Sequence, residues 1–228
     1  MKYNVIFFDA DDTLFDFQQS EAVAYRNAMQ AFGLPYAGME HYEIYRDINH
    51  TIWKEFEESK ISQPVLKTER FRRLAARLGA SFDAEEFAKE FMYQLSMASI
   101  LYDETLPLIS TLKEHAKLLI VTNGLTDVQQ RRVRGSVLAD SLRGVIISEE
   151  AGVAKPDPAI FELAALAAGE SDKSKMLMVG DGLKTDILGG INYGIDTCWF
   201  NPKKAENNSG IVPTYEIGEL KTITEIVK

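Results

Sequence analysis

One cysteine, Cys198, is all that the 228 residues contain. That excludes a disulfide framework within the chain and any cysteine-rich zinc site, and it makes a reducing, cytoplasmic compartment the expected one. Long hydrophobic runs are missing too. No stretch approaches the roughly 18 apolar residues of a membrane span, so no membrane partner is expected. The apolar run Met1 to Phe8 is cut off by Asp9, Asp11 and Asp12 and is too short for the apolar region of a signal peptide; an unexported protein is expected. Positive charge is in deficit, with Lys+Arg 25 against Asp+Glu 34 and a net charge of -9. That charge balance argues against a broad grip on a nucleic acid polymer, and an anionic ligand would have to be attracted locally. Repeats and low-complexity tracts are absent; only Pro202 to Pro213 has the composition of a surface loop.

What remains is ordinary globular composition, 46% hydrophobic and 26% charged, long enough to bury a sizeable core. Five β-branched runs stand out: Tyr3 to Phe8, Lys117 to Thr122, Val145 to Ser148, Met176 to Val179 and Thr197 to Phe200. Each is apolar through most of its length, as expected of strands covered on both faces. Helical periods lie at Leu106 to His115, Thr126 to Arg134, Pro158 to Ala168 and Leu183 to Tyr193. Strands alternating with helices predict an α/β fold with a doubly wound parallel sheet of Rossmann type.

One interval breaks the alternation. Between about Asp16 and Ile100 no good strand occurs, but helical stripes do, such as Ala22, Tyr25, Met29 and Phe32, then Phe71, Leu74, Ala75 and Leu78. Four helices can bury these stripes against each other. The predicted organisation is a small helical domain over 16–100 inserted into an α/β core made of 1–15 and 101–228. Gly33, Pro35 and Gly38, then Pro64, then Gly79 are expected at the helix–helix turns.

Chemistry-bearing residues gather after the predicted strands, where an open α/β sheet places its ligands. Asp9 and Asp11 follow the first strand, and two carboxylates so close repel by roughly 4 kcal/mol at about 4 Å and an effective dielectric near 20. A cation or a shared proton must relieve that. Thr122, Asn123 and Gly124 follow the second strand and offer a hydroxyl, an amide and N–H groups to an oxyanion, although a helix cap would look the same. Lys155, stiffened by Pro156, supplies a point charge. Asp181 and Asp186 flank the start of a helix, and their hard oxygens suit magnesium, which is often shared with a substrate phosphate. Each motif alone has an ordinary structural explanation. Their conjunction on one sheet points to a metal-assisted anion site.

In order and spacing, Asp9, Asp11 and Thr13, then Thr122, then Lys155, then Gly180, Asp181 and Asp186 resemble the haloacid dehalogenase superfamily, in its phosphatase branch. The resemblance covers nearly the whole chain and implies a helical cap inserted after the first motif. It implies a magnesium-dependent phosphomonoesterase in which Asp9 attacks phosphorus to form an aspartyl phosphate. Asp11 would protonate the leaving alcohol and then deprotonate the hydrolytic water. Magnesium would be held by Asp9, the main-chain carbonyl of Asp11 and Asp181, with Asp186 acting through water or by orienting Lys155. Thr122, Asn123 and Lys155 would hold the phosphoryl oxygens.

Dehalogenases of the superfamily have tyrosine where Asp11 stands and use no magnesium, so the resemblance favours phosphate esters. The stretches Ile147 to Pro156, Gly189 to Gly194, Thr122 to Thr126 and Phe8 to Asp11 look like those of bacterial pyrimidine 5'-nucleotidases. That implies a small phosphorylated metabolite, a nucleoside monophosphate, as substrate. Phosphoglycolate, a sugar phosphate, or a phosphosugar mutase reaction are the alternatives. A monomer or weak homo-oligomer is expected. Aromatic candidates for contacting a base are Phe15, Phe17, Tyr42, Tyr45, Trp53 and Phe56, with packing in the core as the competing role for each.

Overall fold

The computed structural model describes residues 2–58 and 60–228. Its contacts divide the chain into two compact units, Met1–Phe17 with Ser99–Lys228, and Gln18–Ala98.

The larger unit is built on a parallel sheet. Among the described residues its strands are β1 (Val5–Phe8), β2 (Lys117–Thr122), β3 (Gly144–Ile147), β4 (Met176–Gly180), β5 (Asp196–Phe200) and β6 (Tyr215–Ile217), in the spatial order β3-β2-β1-β4-β5-β6. All neighbouring pairs run parallel, with Phe8 opposite Ile120 on one side and Val179 on the other. The period of two along β1 sends Ile6 and Phe8 into one apolar layer with Leu118, Ile120, Leu177 and Val179. Val5 and Phe7 enter the other layer with Leu119, Val121, Ile160 and Phe161. The two layers bury the central strands β1, β2 and β4 on both faces, which is why these runs read as nearly continuous apolar segments.

Helices α5 (Thr105–Leu112), α6 (Thr126–Arg134), α7 (Ser148–Ala151), α8 (Pro158–Ala168), α9 (Leu188–Tyr193) and α10 (Ile223–Ile226) pack in this unit, following in the chain the helices α1 (Phe17–Ala31), α2 (Met39–Glu57), α3 (Gln63–Leu78) and α4 (Ala84–Met97). α8 shows how local sequence sets its bounds. Asp157 caps it by accepting from Ala159 N at 2.9 Å, Pro158 opens its first turn, and Gly169 closes it at φ +63°. The expected fifth strand is joined by β6, whose three residues are too few to show as a periodic run. The 202–213 segment carries no helix or strand, as its composition indicates.

The smaller unit holds α2 (Met39–Glu57), α3 (Gln63–Leu78), α4 (Ala84–Met97) and most of α1 (Phe17–Ala31). Gly33, Gly38 and Gly79 sit between helices with φ of +61°, +77° and +62°. Pro64 instead lies in the first turn of α3, where its missing N–H costs nothing. The core of this unit stacks Tyr25 on Tyr45 at 5.0 Å and Tyr45 against Phe71 at 5.8 Å. A buried carboxylate, Glu21, accepts from Tyr42 Oη at 3.2 Å, Tyr45 Oη at 3.1 Å and Asn49 Nδ2 at 2.9 Å, and Arg70 donates to Asn49 Oδ1 at 2.9 Å. Tyr42 and Tyr45, candidates for base contact on sequence grounds, are therefore committed to the core of the helical unit. No helix among the described residues is long and apolar enough to cross a membrane.

Candidate active site

β1 and β4 are neighbours in the sheet, yet the chain leaves β1 toward β2 on one side and leaves β4 toward β5 on the other. Their C-terminal ends therefore open a crevice at a topological switch point. Asp9 lies at its floor, 8% exposed, with its N–H donating to Val179 O at 2.9 Å. Beyond it the chain turns sharply through Asp12, whose φ of +57° is a left-handed conformation that aspartate tolerates better than most residues. The turn brings Phe15 back to bridge Asp11.

Lys155 reaches the floor from the loop before α8. Its Nζ donates to Asp9 Oδ1 at 2.5 Å and to Val121 O at 2.7 Å, and pairs with Asp186 Oδ1 at 2.6 Å. Burial by itself would pull this amine down, but the Asp186 and Asp9 carboxylates outweigh it and hold the lysine raised, hence charged. Asn123 fixes the loop that delivers it. Its Nδ2 donates to Lys155 O at 2.9 Å and its Oδ1 accepts from Lys155 N at 2.8 Å. The Asn123 side chain is thus a strut for Lys155. Thr122, 1% exposed at the end of β2, accepts from Gly124 N at 3.1 Å.

At the end of β4, Asp186 requires glycine at 180, and Thr185 requires it at 182. A Cβ on Gly180 would meet Asp186 Oδ2 at 2.3 Å, and one on Gly182 would meet Thr185 Oγ1 at 2.2 Å. Asp186 Oδ2 accepts from Gly182 N at 2.9 Å, so the carboxylate folds back over the strand end while its other oxygen faces Lys155. Asp181 is held by its backbone: its N–H donates to Thr13 Oγ1 at 3.1 Å, and its carbonyl accepts from Trp199 Nε1 at 2.9 Å.

Carboxylate oxygens of Asp9, Asp181 and Asp186 lie within 4.8 Å of one another. One ammonium faces three carboxylates, which leaves negative charge uncompensated. Burial pushes the Asp9 carboxyl well above the usual range, against the pull of Lys155, and Asp186, Asp181 and Asp11 push it further. Asp181 is pushed up to about 7, first by the protein crowding it and then by Asp186 and Asp12, although it retains solvent exposure. Hard oxygen donors with surplus negative charge fit a divalent cation such as magnesium. The Asp11 carboxylate is not part of the cluster. It turns to α6, accepting from Arg132 Nη1 at 2.5 Å and Gln129 Nε2 at 2.6 Å, so a metal contact by Asp11 would use its main-chain carbonyl.

The raised Asp181 has a consequence for stability. Its folded pKa lies above the unfolded value of about 3.9, so the folded chain holds a proton that the unfolded chain releases. That contribution is complete below about pH 4 and is lost as pH rises to about 7. In chelator, the thermal midpoint of wild type should therefore fall relative to Asp181→Asn across pH 4 to 7. Parallel profiles for the two proteins would contradict the raised carboxyl.

Gln129 and Arg132 are absent from the residues that the sequence singled out. The fold brings them in: α6 buries Val128, Gln129, Arg132 and Val133 as one stripe, and two polar residues inside a buried stripe need partners. Phe15 and Phe17, candidates for base contact, lie under the Arg132 guanidinium at 5.0 and 5.5 Å from their ring centroids.

Comparison with known proteins gives a family model, haloacid dehalogenase-like hydrolase, matching residues 3–194. The chain is 34% identical to pyrimidine 5'-nucleotidase YjjG of Escherichia coli, covering 100% of this chain and 99% of that protein. It is 35% identical to pyrimidine 5'-nucleotidase PynA of Streptococcus pneumoniae over 95% and 92% of the two chains. Among solved structures, the HAD-hydrolase YfnB of Bacillus subtilis bound to magnesium superposes with a TM-score of 0.93 at 33% identity, covering 100% of both chains.

Proposed function

Because the chain belongs to the haloacid dehalogenase-like hydrolases, we propose that it is a magnesium-dependent phosphomonoesterase that uses Asp9 as nucleophile and takes pyrimidine nucleoside 5'-monophosphates. The observation that carries this reading is the buried Asp9 carboxylate, oriented by Lys155 at 2.5 Å and crowded by Asp181 and Asp186. The substrate class is supported by the two nucleotidases that the chain resembles along nearly its whole length.

Lys155 on one oxygen of Asp9 leaves the other to attack. That oxygen bonds to phosphorus as the ester P–O bond breaks, and Asp11 gives its proton to the departing alcohol oxygen. Asp11, now a carboxylate, takes a proton from water as the water oxygen bonds to phosphorus and the Asp9–phosphorus bond breaks. Inorganic phosphate leaves, and both aspartates return to their starting states. Lys155, the Thr122 hydroxyl and the main chain at Asn123 hold the phosphoryl oxygens through this exchange, and fixed charge there stabilises the transferring group. Magnesium, held by Asp9, Asp181 and the Asp11 carbonyl with Asp186 beside them, would offset the repulsion between carboxylate and phosphoryl as a Lewis acid.

Phosphate release from a panel of nucleoside monophosphates, sugar phosphates and phosphoglycolate tests the reading. Pyrimidine nucleoside monophosphates should be preferred with magnesium, and release should be lost in chelator. Equal release from every ester would remove the nucleotide assignment. Transfer of phosphate within a sugar phosphate, with no release, would replace hydrolysis by a mutase reaction.

A further inference from the structure

We propose that Arg132, assisted by Gln129, positions the Asp11 carboxyl for proton transfer to the leaving oxygen. The inference rests on the phosphomonoesterase reading and deepens it. Arg132 and Gln129 stand three residues apart on α6 and so share one face of the helix. Each takes a different oxygen of Asp11: Arg132 Nη1 takes Oδ1 at 2.5 Å, and Gln129 Nε2 takes Oδ2 at 2.6 Å. Two donors on two oxygens fix both the direction of the side chain and the rotation of its carboxyl plane. Each oxygen keeps a second lone pair, so the carboxyl can carry a proton while remaining held.

The burial is asymmetric. The Arg132 side chain is wholly buried, while that of Asp11 remains 26% exposed. A guanidinium enclosed in the protein is aimed outward at a carboxyl that opens toward solvent. The Arg132 guanidinium carbon lies over the Phe15 and Phe17 rings, 5.0 and 5.5 Å from their centroids. Those contacts leave the fork little freedom. Burying a guanidinium is unfavourable unless its partner is well placed, and lysine would supply the charge without the rigid planar geometry. Gln129 also lies 3.5 Å from Thr122 Oγ1, so the same helix face ties Asp11 to the end of β2.

A positioning role differs from a structural one in its dependence on the leaving group. A nucleoside monophosphate expels a poor leaving group that needs the proton of Asp11; p-nitrophenyl phosphate expels a good one that does not. Arg132→Lys, Arg132→Met and Gln129→Leu would be assayed on both esters, in wild-type and Asp11→Asn backgrounds, with folding checked by circular dichroism. General acid–base catalysis contributes about 10²- to 10⁴-fold. Arg132→Met should lose a large part of that on the nucleotide and less than about threefold on the aryl ester, with Arg132→Lys recovering some of it. Gln129→Leu should give a smaller loss of the same selectivity, and it removes a donor without stranding a charge if Arg132→Met does not fold. In the Asp11→Asn background, none of the three should lower nucleotide turnover further. Equal losses on both esters, or losses that persist without Asp11, would overturn the proposal. An Asp11→Asn enzyme with wild-type turnover of the nucleotide would overturn the acid role and the proposal with it, leaving the chemistry of Asp9 untouched.

Discussion

Asp9→Asn should stop phosphate release, lowering kcat by a factor on the order of 10⁴ or more. The amide keeps the shape of the side chain and can still accept from Lys155 through its oxygen, but it is not a nucleophile toward phosphorus. The loss should be chemical rather than structural. Asp9 is one of three carboxylates facing one ammonium, so neutralising it relieves repulsion. In chelator, the thermal midpoint of Asp9→Asn should equal or exceed that of wild type. Phosphate release measured beside thermal unfolding separates the two effects. Retained turnover, or lost turnover accompanied by unfolding, would contradict the assignment.

Lys155→Met should injure both turnover and stability. Its ammonium is the positive charge in contact with Asp9 and Asp186, and its side chain is 2% exposed. Removing one partner of such a buried arrangement costs about 3–5 kcal/mol, because the remaining carboxylates are left buried without compensation. Turnover should fall about 10²- to 10³-fold, the usual effect of removing one fixed group that stabilises developing charge. Adding Asp186→Asn to Lys155→Met should restore much of the stability in denaturant unfolding and little of the turnover. Full recovery of turnover in the double variant would mean that Lys155 only neutralises Asp186.

Much of this architecture is legible in the sequence, for reasons that particular residues make plain. β1, β2 and β4 lie in the middle of the sheet and are buried on both faces, so Val5 to Phe8, Lys117 to Thr122 and Met176 to Gly180 are almost continuously apolar. Asp9 and Asp181 stand out because they end such runs abruptly. β6 does not show, since three residues at a sheet edge with Glu216 exposed have no period to read. Tyr42 and Tyr45 look the same in sequence whether they meet a ligand or a core. Only the tertiary placement of Glu21, Asn49 and Arg70 beside them reveals a polar network inside the helical unit. Gln129 and Arg132 are the instructive omissions. On the sequence, α6 looks like a polar surface helix, with Gln129, Gln130, Arg131, Arg132 and Arg134 in near succession, and it is the fold that turns two of these inward to meet Asp11.

Trapping the covalent intermediate tests the central claim most directly. Wild-type protein with magnesium would be mixed with a radiolabelled nucleoside monophosphate, quenched in acid within a single turnover, digested, and the labelled peptide sequenced. Label on the peptide containing Asp9, released by hydroxylamine as an acyl phosphate and absent from Asp9→Asn, is the expected result. Rapid phosphate release with no labelled protein at any quench time, or label carried on another residue, would contradict the account.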